Sequence, residues 1–171
     1  PTSSPSSATK AAQTFSSVRT IDDVKHSYEL VDTADKRKKL LDKLLTHKTV
    51  CFDTETTSLN PLLARILGCA FSFEKDSGYY VNFPDDFETT KTILEEFNPF
   101  FENTNIEMVL QNAKYDIKVL WNYDIEVQGK IFDTMLAHYL LEPDQRHNMD
   151  YLSETYLGYQ PISITTLIGK K

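Results

Sequence analysis

The chain has 171 residues, of which 40% are hydrophobic and 25% charged, with five glycines, seven prolines and two cysteines. That composition suits one domain of ordinary size with a real core, and it excludes collagen-like or low-complexity architecture, a membrane-spanning helix and a disulfide framework. The formal net charge of −7 excludes a basic field that would gather nucleic acid over the whole surface, so any such binding has to be local and metal-assisted.

Residues 1–17 hold fourteen Pro, Ser, Thr or Ala and show no apolar periodicity, which is the composition of a flexible linker. We place the linker at 1–19 and a single folded domain at 20–171. A short strand is expected at Ser27–Val31. Thr33 or Asp32 can cap a helix over 34–47, in which Leu40, Leu41, Leu44 and Leu45 recur at helical spacing. The basic cluster Lys36, Arg37, Lys38 and Lys39 reads as a solvated helix face rather than a phosphate patch.

Next, the β-branched and aromatic run from Thr49 to Thr56 predicts a strand that turns acidic at its end. Ile66–Phe73 and Tyr79–Phe83 form a hairpin around Ser77-Gly78. A helix is expected over Thr89–Phe101, a buried strand at Met108–Leu110 and a helix over Ala113–Asn122. A short extended segment follows at Gly129–Phe132, then Asp133 as N-cap of a helix at Thr134–Leu141, and a last helix from Met149 to Leu157. An antiparallel start followed by strand–helix alternation predicts an α/β fold with a mixed sheet flanked by helices. Cys51 and Cys69 lie in apolar stretches and read as reduced core residues of a cytoplasmic protein. No secretory leader is visible at the N-terminus.

The residues with the most chemistry are Asp53 and Glu55. Side chains at i and i+2 of a strand share a face, about 6–7 Å apart, so the two carboxylates project together. Like charges so placed repel unless a cation holds them, and hard oxygen ligands suit Mg²⁺ or Mn²⁺. Gln111-Asn112-Ala113-Lys114-Tyr115-Asp116 follows the buried Met108–Leu110 and opens a helix, which sets Asp116 in its first turn beside a strand end. The four histidines show no metal-ligand spacing, no Ser/His/Asp or Cys/His set suggests a nucleophile, and glycines are too sparse for a phosphate loop.

Taken together these stretches resemble a known family. Val50–Leu59 (VCFDTETTSL) is similar to the first motif of the DEDD 3′–5′ exonucleases and Gln111–Asp116 (QNAKYD) to the second. Phe132–Leu136 (FDTML) and Arg146–Glu154 (RHNMDYLSE) resemble the stretches that follow in the proofreading domain of bacterial-type family A DNA polymerases, the DNA polymerase I kind. The resemblance runs over about residues 25–171. It implies a ribonuclease H-like fold and a 3′–5′ exonuclease that hydrolyses the terminal phosphodiester of single-stranded DNA to a nucleoside 5′-monophosphate. By it, Asp53, Glu55 and Asp116 are catalytic metal ligands for two divalent ions (Mg²⁺ or Mn²⁺). Thr56 and Leu59 touch the 3′-terminal nucleotide, Leu59 as an apolar wedge, while Gln111, Asn112, Tyr115 and Arg146 line the single-strand path. The partners implied are a single-stranded DNA 3′ end and a polymerase domain in the same parent chain, with no membrane.

The family also carries a Tyr-x-x-x-Asp motif that completes the metal site. Here Tyr151, Tyr156 and Tyr159 are followed four residues on by Thr155, Gln160 and Ser163. Asp133 reads as a cap and Asp150 precedes the motif's place. The chain is therefore expected to be C-terminally incomplete and to show little exonuclease activity by itself. Two other readings stay open, an RNA-processing exonuclease of the same superfamily and a non-catalytic nucleic-acid-binding scaffold. A haloacid-dehalogenase-type phosphotransferase is disfavoured because the second acid is Glu55 rather than Asp.

Overall fold

Period-two burial is clearest in the strand that carries the acidic pair. In the computed structural model, which describes residues 17–164 and 166, Val50, Phe52 and Thr54 are buried, whereas Thr49, Cys51 and Glu55 are exposed and Asp53 is half-buried. The chain falls into two compact units, one of His26–Gln145 and one of Pro1–Lys25 with Arg146–Lys171.

In the first unit the strands are β1 (Ser27–Val31), β2 (Thr49–Thr56), β3 (Ile66–Ser72), β4 (Ser77–Asn82), β5 (Glu107–Leu110) and β6 (Lys130–Asp133). They make one sheet in the order β1-β4-β3-β2-β5-β6. β2, β3 and β4 pair antiparallel, while β1 joins β4, β5 joins β2 and β6 joins β5 in parallel, the mixed sheet expected. The helices are α1 (Ala34–Leu44), α2 (Phe87–Glu95), α3 (Asn98–Phe101), α4 (Ala113–Trp121) and α5 (Thr134–Leu141). Among the described residues no helix is long and apolar enough to cross a membrane.

One apolar cluster joins β-strand residues such as Val50, Phe52, Phe71 and Met108 to Leu40 and Leu44 of α1, Leu94 of α2, Phe100 and Phe101 of α3, and Val119 and Leu120 of α4. Its centre is aromatic. Phe52 lies 5.2 Å from Phe71 and 5.4 Å from Phe101, centroid to centroid, and Phe71 stacks on Phe97 at 5.5 Å. Each such ring contributes about 1.5–3 kcal/mol by leaving water. Because Phe52 sits directly before Asp53, this packing fixes the strand end on which the acids stand.

Several elements differ from expectation for local reasons. Pro99 cannot continue a hydrogen-bonded helix, and the single helix expected at Thr89–Phe101 divides into α2 and α3, with Pro at the start of the second. The β3–β4 turn is made by Asp76 at φ 61°, a left-handed conformation that Asp tolerates, and Ser77-Gly78 already belongs to β4. Gly78 is closely approached there: a Cβ at this position would meet the Tyr28 ring at 3.1 Å, so that ring would have to shift. Cys69 is buried as expected, but Cys51 is exposed, since β2 turns its odd-numbered residues away from the core. Thr33 caps α1 by accepting from the Lys36 N–H at 3.3 Å. In the basic cluster, Lys36 pairs with Asp32 at 2.8 Å and Arg37 grips both oxygens of Glu96 at 2.7 and 2.8 Å.

In the second unit, Arg19 bridges Tyr159. The Arg19 N–H donates to the Gly158 carbonyl and the Gln160 N–H to the Arg19 carbonyl, both at 2.8 Å. Its helix α6 (Met149–Leu152) runs into a wider π turn at Ser153–Leu157, which ends on Gly158 at φ 57°. Of the linker expected at 1–19, residues 1–16 lie outside those described.

Candidate active site

The acids gather where a strand runs out of partners. β5 pairs with β2 only as far as Cys51 opposite Val109, and beyond that point the edge of β2 is met by a side chain from α4. Asp116 Oδ1 accepts from the Thr54 N–H at 3.1 Å and from the Thr54 hydroxyl at 2.6 Å. Asp116 is only 2% exposed. Thr54, the residue between the two acids, was not singled out by the sequence; its signal is the alternation that turns it inward.

The start of α4 explains how Asp116 arrives there. Asn112 stands before the helix in the left-handed region, at φ 66° and ψ 49°, and its side chain makes no cap bond. Asp133 instead supplies the acceptors, taking the Asn112 N–H at 3.1 Å on Oδ1 and the Ala113 N–H at 2.9 Å on Oδ2. Oδ1 also accepts from the Met135 and Leu136 N–H groups of α5, at 3.0 and 3.2 Å. Asp133 is therefore the helix cap expected, and it caps two helices.

Electrostatically the site is unbalanced. Burial, followed by the charges of Asp116 and Glu55, pushes the Asp53 carboxyl up to about 7, against a small opposing bond from the Thr54 backbone. Burial raises Asp116 as well, although Thr54's two hydrogen bonds oppose it. The thiol of Cys69, which pairs with Thr54 across β3, is raised by burial and then by Asp116 and Asp53. Among the described residues no salt bridge reaches Asp53, Glu55 or Asp116. Nor do three His, Cys, Asp or Glu close into a group that could hold an ion as they stand. The donor set nevertheless suits a hard divalent cation: it is all carboxylate, and burial disfavours the charged forms of Asp53 and Asp116 in the absence of a counter-ion.

The other expected residues divide between the two units. Thr56 shares a hydrogen bond with the Tyr115 hydroxyl, which also bonds the Ser58 carbonyl. The loop that follows is tied throughout. The Arg65 N–H donates to Thr57 Oγ1 at 3.0 Å, the Leu62 N–H to Asn60 Oδ1 at 3.1 Å, and Asn122 Nδ2 to the Pro61 carbonyl at 2.7 Å. This loop carries Leu59 at 96% exposure, with Leu62 and Leu63 also exposed. Gln111 and Asn112 are half-buried beside α4. Gln111 Oε1 is bonded by the Thr134 hydroxyl. Arg146 is exposed and belongs to the second unit.

The model of a family described as 3′–5′ exonuclease matches residues 28–171. DNA polymerase I of Borreliella burgdorferi is 31% identical over 156 residues, which cover 90% of this chain and 17% of that protein. DNA polymerase I of Pseudomonas aeruginosa is 34% identical over 140 residues, covering 76% and 15%. The chain thus spans about one sixth of the length of such relatives. Among solved structures, Trypanosoma brucei RNase D in complex with RNA superposes with a TM-score of 0.70 at 17% identity, over 84% of this chain and 51% of the other. Brucella melitensis NrnC with bound Mg²⁺ gives 0.62 at 18% identity, over 82% and 65%. At such identities the likeness establishes the fold, the ribonuclease H-like α/β sheet.

Proposed function

The chain belongs to the 3′–5′ exonuclease family, and from that premise we propose that residues 20–171 carry an exonuclease domain acting on the 3′ end of single-stranded DNA. The products are a nucleoside 5′-monophosphate and a strand one nucleotide shorter. The parent chain, like the relatives that match, is read as a DNA polymerase I, with a polymerase domain as this domain's partner. The observation that carries the reading is the approach of buried Asp116 on α4 to half-buried Asp53 and exposed Glu55 at the end of β2, where both raise the Asp53 carboxyl and, among the described residues, no salt bridge offsets them.

Asp53, Glu55 and Asp116 would hold two divalent ions, Mg²⁺ or Mn²⁺, which when bound offset the carboxylate charge, polarise the scissile phosphate and make water a stronger nucleophile. The remaining work falls to the chain's own groups. Thr54 fixes one oxygen of Asp116, so that carboxylate is presented in one orientation. Asp53 has to release its proton on loading, because a carboxyl lifted to about 7 is largely protonated below neutrality. Leu59 offers an exposed apolar side chain to the terminal base from a loop held by Thr56, Tyr115 and Asn122. Tyr115, its hydroxyl engaged at Ser58 and its ring half-buried against the core, is assigned to the strand path, where base stacking needs no basic groove. Gln111 and Asn112 are assigned to the path of the same strand.

The test is calorimetric titration with Mn²⁺ of the wild type, Asp53→Ala and Asp116→Ala. Binding by the wild type that both variants lose is the expected result. Equal binding by all three overturns the assignment. In the longest chain the gene encodes, a 3′-labelled DNA strand should shorten from its labelled end, and faster shortening of the matching RNA would move the substrate to RNA.

A further inference from the structure

We propose that Asp133 is a positioning residue for the exonuclease site, setting Asp116 in register with β2 by fixing the first residues of α4. The inference rests on the assignment of Asp116 to that site. Asp133 ends β6 and N-caps α5, where capping the new helix requires one oxygen that accepts one or two N–H groups. Oδ1 already meets that need with Met135 and Leu136. The bonds to Asn112 and Ala113, at 3.1 and 2.9 Å, are additional, and they cross from one helix start to another.

Their target is a turn in the backbone. Asn112 holds a left-handed conformation, which asparagine tolerates but does not by itself dictate, so neighbouring groups decide whether it is kept. The next residue along, Thr134, donates its hydroxyl to the Leu110 carbonyl at 3.0 Å, so residues 133 and 134 grip both ends of the segment between β5 and α4. Asp116 follows within one turn, and its Oδ1 has to meet both Thr54 donors. A small rotation of Ala113 moves Asp116 off Thr54. Because four N–H groups occupy Asp133, it serves the site through backbone and not as an ion ligand.

Asp133→Ser separates the two roles, since a serine hydroxyl can cap α5 but lacks the second oxygen that reaches Ala113. Asp86→Ala is the control. It deletes the cap of α2, where Asp86 accepts from the Thr89 N–H at 2.8 Å, away from these contacts. In the full chain, amide hydrogen exchange of Thr54 is measured relative to Phe71 in the core, alongside Mn²⁺ affinity. In Asp133→Ser we expect Thr54 to exchange about fivefold faster relative to Phe71 and Mn²⁺ to bind about tenfold more weakly. In Asp86→Ala both ratios should stay at the wild-type value. An Asp133→Ser ratio for Thr54 equal to that of Asp86→Ala overturns the proposal, whatever the ion does. A faster Thr54 in a protein whose wild type binds no Mn²⁺ supports the positioning role and removes the metal assignment instead.

Discussion

Asp116 and Asp133 stand at the starts of neighbouring helices, yet their surroundings give them opposite work. Asp133 meets four backbone N–H groups and is fully occupied as a structural acceptor. Among the described residues Asp116 is bonded by Thr54, on one oxygen, and by its own backbone, and its charge helps to raise Asp53. A carboxylate given enough N–H donors becomes part of the scaffold. One that is buried with fewer donors and with like charges nearby keeps a free oxygen, which is where the proposed cation would sit. The comparison teaches that donors, rather than acids, separate a cap from a site.

The comparison breaks most visibly in turnover. In the longest chain the gene encodes, Asp116→Ala should lower the rate of 3′-end hydrolysis by at least about 100-fold, as misplacement at a reacting centre does, while Asp86→Ala leaves it unchanged. A steady-state assay on a 3′-labelled single strand measures both. Thr54→Val sharpens the contrast by removing one of Asp116's donors. Losing a hydrogen bond to a buried carboxylate should cost about 1–3 kcal/mol at neutral pH, read as a lower midpoint in urea.

The smallest effect is on the pH dependence of stability without divalent ions. Asp53 sits at about 7 when folded against an ordinary 3.8, so between those values the folded state keeps a proton that the unfolded state has lost. Stability should therefore fall as pH rises from about 4 to 7 and level off above. Asp53 is half-buried and partly screened, so the fall should be only a few degrees in Tm, roughly 1 kcal/mol in a chain of this size. Asp53→Asn should flatten it, as should added Mn²⁺. A Tm that climbs through that range, with EDTA present, contradicts the environment described for Asp53.

Much of this was legible in the sequence because it is local. The alternation Val50, Phe52, Thr54 against Cys51, Asp53, Glu55 follows from the geometry of a strand, and Asp133's role as a cap follows from its place before Thr134. Pro99 carried its own warning of a helix break, although the run of apolar residues around it suggested one helix. What could not be read was the company each residue keeps. Thr54 and Asp116 are 62 positions apart, and nothing in either motif says which side chain meets which. Asp133 lies 20 positions from Ala113, so its second set of bonds is invisible to any local rule. Asp76 makes the turn expected at Ser77-Gly78, while Gly78 lies close under the Tyr28 ring, again a contact between distant segments.

The place of β1 has a consequence for how the chain is made. It precedes every other strand, but it lies at the sheet edge beside β4, with Ser27 opposite Ser77 and Val31 opposite Val81. The meander β2–β3–β4 can close through short connections, whereas the parallel pairing of β1 has to wait until β4 exists, and such distant contacts form late. Of the six strands of this sheet, β1 therefore leaves the ribosome first and pairs last. In that interval Val31, destined to be buried, is open to solvent along with Tyr28 and Leu30, which stay exposed even in the finished fold. An unpaired apolar strand is a template for mispairing with other chains. Slow elongation between Val31 and Val81 prolongs that exposure, so the tempo of translation bears on the yield of native protein.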